Sequence, residues 1–154
     1  MTTGDAATAP PVTVSPEAFL AMGREVLARQ PFSVLVGAEL AQLAPGACEL
    51  QVPVTDQLRQ QNGFVHGGVV SYAADNALTY AGGTALRVPV VTSEFKINYV
   101  RPALGRRLVA RARAEHVSRT QAVCRCEVFA VDEAGTEKLC ALAQGTIAVL
   151  PDKS

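Results

Sequence analysis

The sequence predicts an α+β fold in which an antiparallel sheet wraps around one long central helix, with a further helix ahead of it. Three observations carry this reading. Residues 66–83 are rich in small apolar side chains and hold one formally charged group, Asp75, the pattern of a helix surrounded by other backbone. After them come four runs in which apolar and polar residues alternate, separated by short breaks. Before them stands a strand pair around Ala44-Pro45-Gly46, where proline sets φ and glycine allows a positive one.

Taken in order, residues 1–14 are rich in Ala, Thr and Pro and read as a disordered leader, which leaves residues 15–154 as a single domain. Ser15-Pro16-Glu17 supplies an N-cap, a proline at the first helical position and an acid in the first turn. A helix is expected to Arg29, with Phe19, Met22 and Val26 packing on the body of the domain. Val34–Leu43 and Cys48–Val54 read as a strand hairpin. A loop rich in Gln and Asn then leads to the central helix, expected from about Gly67 to Gly82-Gly83. The four later strands are placed at Val91–Val100, Leu108–Val117, Gln121–Val131 and Leu139–Leu150. In the first of these, Val91, Ser93, Phe95, Ile97 and Tyr99 share the dry face by strict alternation.

Composition removes several classes of function. Fourteen basic and fourteen acidic residues cancel, so no global field draws the chain to nucleic acid or to an anionic membrane. There is no Trp and aromatic content is 5%, which argues against a stacking platform for single strands. Cys48, Cys124, Cys126 and Cys140 form no CxxC pair and accompany two histidines only, a poor basis for a zinc site. They read as buried, reduced thiols in a cytoplasmic protein. No export signal and no membrane-spanning helix are read.

The stretch QNGFVHGGVVSYAADNA and the later TSEFKINYVRPA, between a strand pair and a strand run, resemble the hotdog-fold acyl-CoA thioesterases of the PaaI-like (phenylacetate-degradation) type. The resemblance spans about residues 33–150 and leaves the first helix outside it. It implies that the backbone N–H of Gly67 polarises a thioester carbonyl and that Asp75 attacks the thioester or activates water. By the same resemblance Gln60 falls where relatives carry a second carbonyl or water contact, Ser93 where some orient the water, and Thr79 where another branch places its threonine. It also implies an acyl-CoA substrate, no metal and no redox cofactor, coenzyme A being part of the substrate.

The residues themselves suit that chemistry. An amide at a helix N-terminus lacks an intrahelical partner and is backed by the helix dipole, so a developing oxyanion is stabilised there. Gly67 and Asp75 are eight residues apart on one helix, hence about 12 Å apart along its axis. One carbonyl cannot touch both, so two antiparallel copies in a homodimer, extending to a homotetramer if the sheets join, are expected to share two sites.

His66 is either catalytic or a positional residue bonding its own loop; the lack of a Gly-x-Ser-x-Gly elbow favours the second. With Gly68, it is counted among the residues near the substrate. Ser93 either orients the water or is satisfied by nearby backbone. Arg101 and Arg119, with Arg106 and Arg107, are candidates for the coenzyme A phosphates or are simply solvated surface cations. Phe64, Tyr72 and Tyr80 either shape an acyl pocket or pack the core. A non-catalytic module that binds or senses acyl-CoA is the main alternative, against which the retained acid Asp75 argues. A hydratase of the same fold would want a histidine one or two turns beyond Asp75, and none is there.

Overall fold

The computed structural model describes residues 14–151. The expected leader lies outside the described residues save for Val14. Helix α1 spans Pro16–Ala28, with the Ser15 hydroxyl accepting from the Ala18 N–H at 3.2 Å, as the cap signature predicts. Its buried positions are Gly23 and Leu27, whereas Met22 and Val26 are 56% and 43% exposed. Phe19 packs against the core as expected, while Met22 and Val26 do not. The reason is contact with the first strand: the Gly23 position sits directly against the side chains of Leu40 and Leu43.

A short helix, α2 (Pro31–Leu35), replaces the start of the predicted first strand. Pro31 at its first turn favours helix, and Gly37 with φ +69 reverses the chain into the strand. The six strands are β1 (Glu39–Ala44), β2 (Ala47–Pro53), β3 (Val90–Tyr99), β4 (Arg107–Val117), β5 (Gln121–Val131) and β6 (Glu137–Val149). They form one antiparallel sheet in the order β1-β2-β4-β5-β6-β3. The sheet curls around the central helix α3, Gly67–Leu86. This is the expected hotdog architecture with an added N-terminal helix.

The core lies between α3 and the inner face of the sheet, with Leu50, Val52, Leu78, Leu108, Val128 and Ile147 fully enclosed. Small side chains let α3 approach closely. Gly82 sets the limit, because a Cβ there would lie 2.6 Å from Ile147 Cβ. Gly82 and Gly83 therefore do not end the helix as expected. They sit inside it, and the stop comes at Arg87, whose φ of 60° is left-handed and whose N–H returns to the Gly83 carbonyl. All four cysteines are free and buried.

Alternation breaks once in β3. Between Thr92 and Glu94 the pairing with β6 shifts, so Ser93 is the extra residue of a bulge. Downstream, Phe95 and Ile97 remain half-buried on the inner side; upstream, the inward residue is Thr92, while Val91 and Ser93 are exposed. The predicted dry face is correct for Phe95 and Ile97 and inverted before the bulge.

Candidate active site

The first half of the site is the N-terminus of α3. Its N-cap is His66, whose Nδ1 accepts the Gly68 N–H at 2.9 Å. That is the positional role: the imidazole takes one of the amides a helix start leaves orphaned, and its Nδ1 is the unprotonated nitrogen. The preceding amide, Gly67 N–H, has no acceptor among the described residues. It points out of the helix start with the dipole behind it.

Gly67 opens onto a cavity of about 360 Å³ shared with Gln60, Phe64, Tyr99 and Arg101. The Gln60 Oε1 accepts the Asn62 N–H at 2.9 Å, which holds the side chain in its own loop and leaves the amide hydrogens without an acceptor among the described residues. Tyr99 donates from its hydroxyl to the Gly67 carbonyl at 3.0 Å. Arg101 is exposed at the rim and reaches the Leu139 carbonyl at 3.3 Å. Arg119, by contrast, sits in the β4–β5 turn next to Thr120, whose carbonyl accepts from the Val149 N–H at the end of β6. Within one chain it is at the end of the sheet opposite to Arg101.

The second half is Asp75, two turns further along α3 and outside that cavity. The carboxylate is half-buried rather than enclosed. Thr92 donates to its Oδ1 at 2.7 Å, and the other carboxylate oxygen accepts nothing among the described residues. Thr79 bonds the Asp75 carbonyl at 2.9 Å and lies 2.9 Å from the Thr92 hydroxyl. Each hydroxyl carries one proton, and Asp75 takes both, Thr92 donating to the carboxylate and Thr79 to the backbone carbonyl, so either hydroxyl can be the donor where the two meet only by giving up its bond to Asp75. A carboxylate held through one oxygen and free at the other can serve as base or nucleophile. Ser93, on the exposed side of the bulge, is not the hydroxyl that holds it.

Beside Asp75, Asn76 anchors a polar cluster beneath α2. Its Nδ2 donates to Gln30 Oε1 at 3.2 Å and to Tyr72 Oη at 3.0 Å, Tyr72 donates to Ser33 at 2.7 Å, and Ser33 donates to Gln30 at 2.7 Å. Burial pushes the Tyr72 phenol up despite these bonds. Tyr72 is therefore part of a structural network, while Phe64 belongs to the Gly67 cavity. Among the described residues no cluster of His, Cys, Asp and Glu is arranged to hold a metal ion, and no helix is long and apolar enough to cross a membrane.

Sequence reasoning does not single out Thr92 or assign Tyr99 to the site. Tyr99, expected on the dry face of its strand, is 54% exposed, and its distance from the helix start in sequence hides the contact. Thr92 is masked by the bulge, which no Gly or Pro announces.

The sequence and the fold have counterparts among known proteins. The profile of the family described as Thioesterase superfamily matches residues 62–136, which include both Gly67 and Asp75. A thioesterase family protein from Silicibacter pomeroyi is 36% identical, with a TM-score of 0.78 over 86% of this chain and 99% of that one. The chain belongs to the thioesterase superfamily. A structure of a variant of the phenylacetic acid degradation protein PaaI from Thermus thermophilus is also 36% identical, with a TM-score of 0.68, covering 79% of this chain and 100% of that one. The 1,4-dihydroxy-2-naphthoyl-CoA hydrolase of Listeria monocytogenes is 28% identical over 74% of this chain and 91% of its own length. This superfamily member is a thioester hydrolase of PaaI-like, hotdog type, and the matched segment stops short of α1 and α2 on one side and β6 on the other.

Proposed function

We propose that this thioesterase hydrolyses acyl- or aryl-CoA thioesters to the free acid and coenzyme A, at sites shared between two chains. The observation that carries the reading is the Asp75 carboxylate, tethered by Thr92 through one oxygen and free at the other. A carboxylate spent on structure would be bonded through both. The thioester carbonyl of the substrate accepts from Gly67 N–H, and the amide gains strength as the oxygen becomes negative; such a donor contributes about 3 to 4 kcal/mol to the transition state. Asp75 of the second chain either adds to the carbonyl carbon, expelling the thiolate and leaving a mixed anhydride that water then cleaves to the free acid and the carboxylate, or takes the proton of a water that adds to the carbonyl carbon and expels the thiolate. Gln60 adds a donor at the same cavity, and Arg101 at its rim suits a phosphate of coenzyme A. Ser93, exposed beside Thr92, is free to contact water at the shared site. The four buried thiols support a cytoplasmic location.

Dimerisation is supported by β3. This strand of ten residues ends the sheet with one edge unpaired, and Val91 and Tyr99 on it, with Val100 just beyond its end, are about half exposed (47%, 54% and 51%). A long apolar edge is a liability unless covered. Antiparallel pairing of two β3 strands across a two-fold axis covers it and sets two α3 helices side by side.

Free-thiol release from a panel of acyl-CoAs tests the activity, with Asp75→Ala expected to abolish it while the fold persists. Complementation tests the sharing. Gly67→Pro removes the N–H at a first helical position that tolerates proline. Co-expression of Asp75→Ala with Gly67→Pro chains then gives mixed dimers with one intact site, and about a quarter of wild-type activity if chains mix at random. No activity in the mixture would place each site within one chain.

A further inference from the structure

We infer that the groove between α1 and α3 binds the apolar acyl tail of the thioester, and that Met22 and Val26 of α1 set the chain length accepted. The inference rests on the reading of Asp75 as the catalytic carboxylate. It concerns a part of the chain that the superfamily profile does not reach, since α1 precedes the matched residues 62–136.

The groove encloses about 490 Å³, within the range of about 300 to 1,000 Å³ common for small-molecule sites. Its wall is largely apolar, with Phe19, Met22 and Val26 on one side and Tyr80, Val88 and Val90 on the other. It is held open by bonds at two points. Tyr80 donates to the Gly23 carbonyl at 2.9 Å, and Asn76 donates to Gln30 at 3.2 Å, so α1 is fixed to α3 at a set separation. Val26 between these ties and Met22 just before them line the groove and stand 43% and 56% exposed.

The groove borders a residue that is bonded to Asp75. Thr79 lines the groove, and Thr79 is linked through Thr92 to Asp75 by hydrogen bonds of 2.9 and 2.7 Å. An acyl group whose carbonyl carbon is placed at Asp75 meets Thr79 first and the apolar groove next. From Asn76 to Thr84 the groove follows about 12 Å of α3, which suits a medium-length chain rather than a short one. Each methylene that enters raises kcat/KM about fourfold, the equivalent of about 0.8 kcal/mol per buried CH₂.

The test compares butanoyl-CoA with octanoyl-CoA in wild type, Val26→Trp and Met22→Trp. Wild type is expected to prefer octanoyl-CoA by about 200-fold, and each tryptophan to lower that ratio at least tenfold. A flat chain-length profile, or a ratio unchanged in both folded variants, overturns the inference. Binding of the thioether analogue octyl-CoA, measured by calorimetry against ethyl-CoA, reads the groove without turnover. A wild type that releases no thiol but still binds octyl-CoA more tightly, with the preference lost in Val26→Trp, refutes the hydrolase reading and keeps the groove. Two further results overturn the inference by naming another occupant: Met22→Trp dissociating the dimer in sedimentation, or octyl-CoA binding only after deletion of residues 1–13.

Discussion

Replacing Thr92 by valine separates the bulged register of β3 from the regular one. The substitution keeps the branched shape and removes one hydroxyl. In the structure that hydroxyl donates to Asp75 Oδ1 at 2.7 Å and lies 2.9 Å from the Thr79 hydroxyl. Hydrogen bonds to a charged group contribute about 1.5 to 3 kcal/mol. If most of that holds the carboxylate in its reacting orientation, kcat falls about 10- to 150-fold. KM moves little, because Thr92 lies behind Asp75 and not on the Gly67 cavity. The assay is thiol release with an excess of acyl-CoA, beside urea denaturation to show that the fold survives. Thr79→Val should cost less alone, and the double variant should be non-additive by about 0.5 to 3 kcal/mol because the two hydroxyls share one network. A Thr92→Val enzyme within twofold of wild type, together with Thr79 and Thr92 effects that simply add, would refute the assignment of Thr92 as the residue that positions Asp75.

Other consequences can be checked in the same preparations. His66→Ala removes the side-chain cap of α3 and should lower stability by about 0.5 to 2 kcal/mol in urea denaturation, with His66→Asn recovering most of it. Gly82→Ala forces a methyl to within 2.6 Å of Ile147 Cβ and should cost about 1 to 3 kcal/mol in the same measurement. Burial pushes the thiols up, to about 11 for Cys124 and Cys140 and about 12 for Cys126. At pH 8 all four cysteines should therefore be silent to a thiol reagent in the native protein and appear on unfolding.

The large elements are legible in the sequence because each rests on a local signal. The run of alanines around Asp75 specifies a helix that other backbone can approach, and the predicted limits of β5, Gln121 and Val131, are those found. The departures share a cause, which is that the deciding contact is distant in sequence. Gly82 reads as a helix stop until Ile147 is seen against it. Met22 reads as core until Leu40 and Leu43 are seen to claim the neighbouring glycine. Pro31 carries a local helix signal that the strand-like run after it outweighs. For the candidate site, Gly67, Gln60 and Asp75 are picked out by the resemblance, and the structure brings Gly67 and Gln60 to one cavity while Asp75 lies outside it. The groups that orient Asp75 are not legible in the sequence, because a bulge exchanges the faces of a strand without changing its composition.

That bulge also explains how one strand can serve two purposes. A regular β3 would turn Phe95, Ile97 and Thr92 to different sides, giving up either the packing of the strand on α3 or the hydroxyl at Asp75. One extra residue at Ser93 places the threonine inward while the apolar residues stay inward as well. The cost is an unpaired serine, and it falls on the side of the strand where, in the proposed dimer, the second chain and the solvent of the site meet. Deleting Ser93 is therefore predicted to be worse than replacing it. Ser93→Ala keeps the register and the Thr92–Asp75 bond. Removal of the residue shifts every position on one side of the bulge by one, and a one-residue slip turns its inward side chains outward. Comparison of the two by thiol release and by denaturation midpoint decides the matter: a deletion variant as active as Ser93→Ala would mean that the bulge does not organise the site.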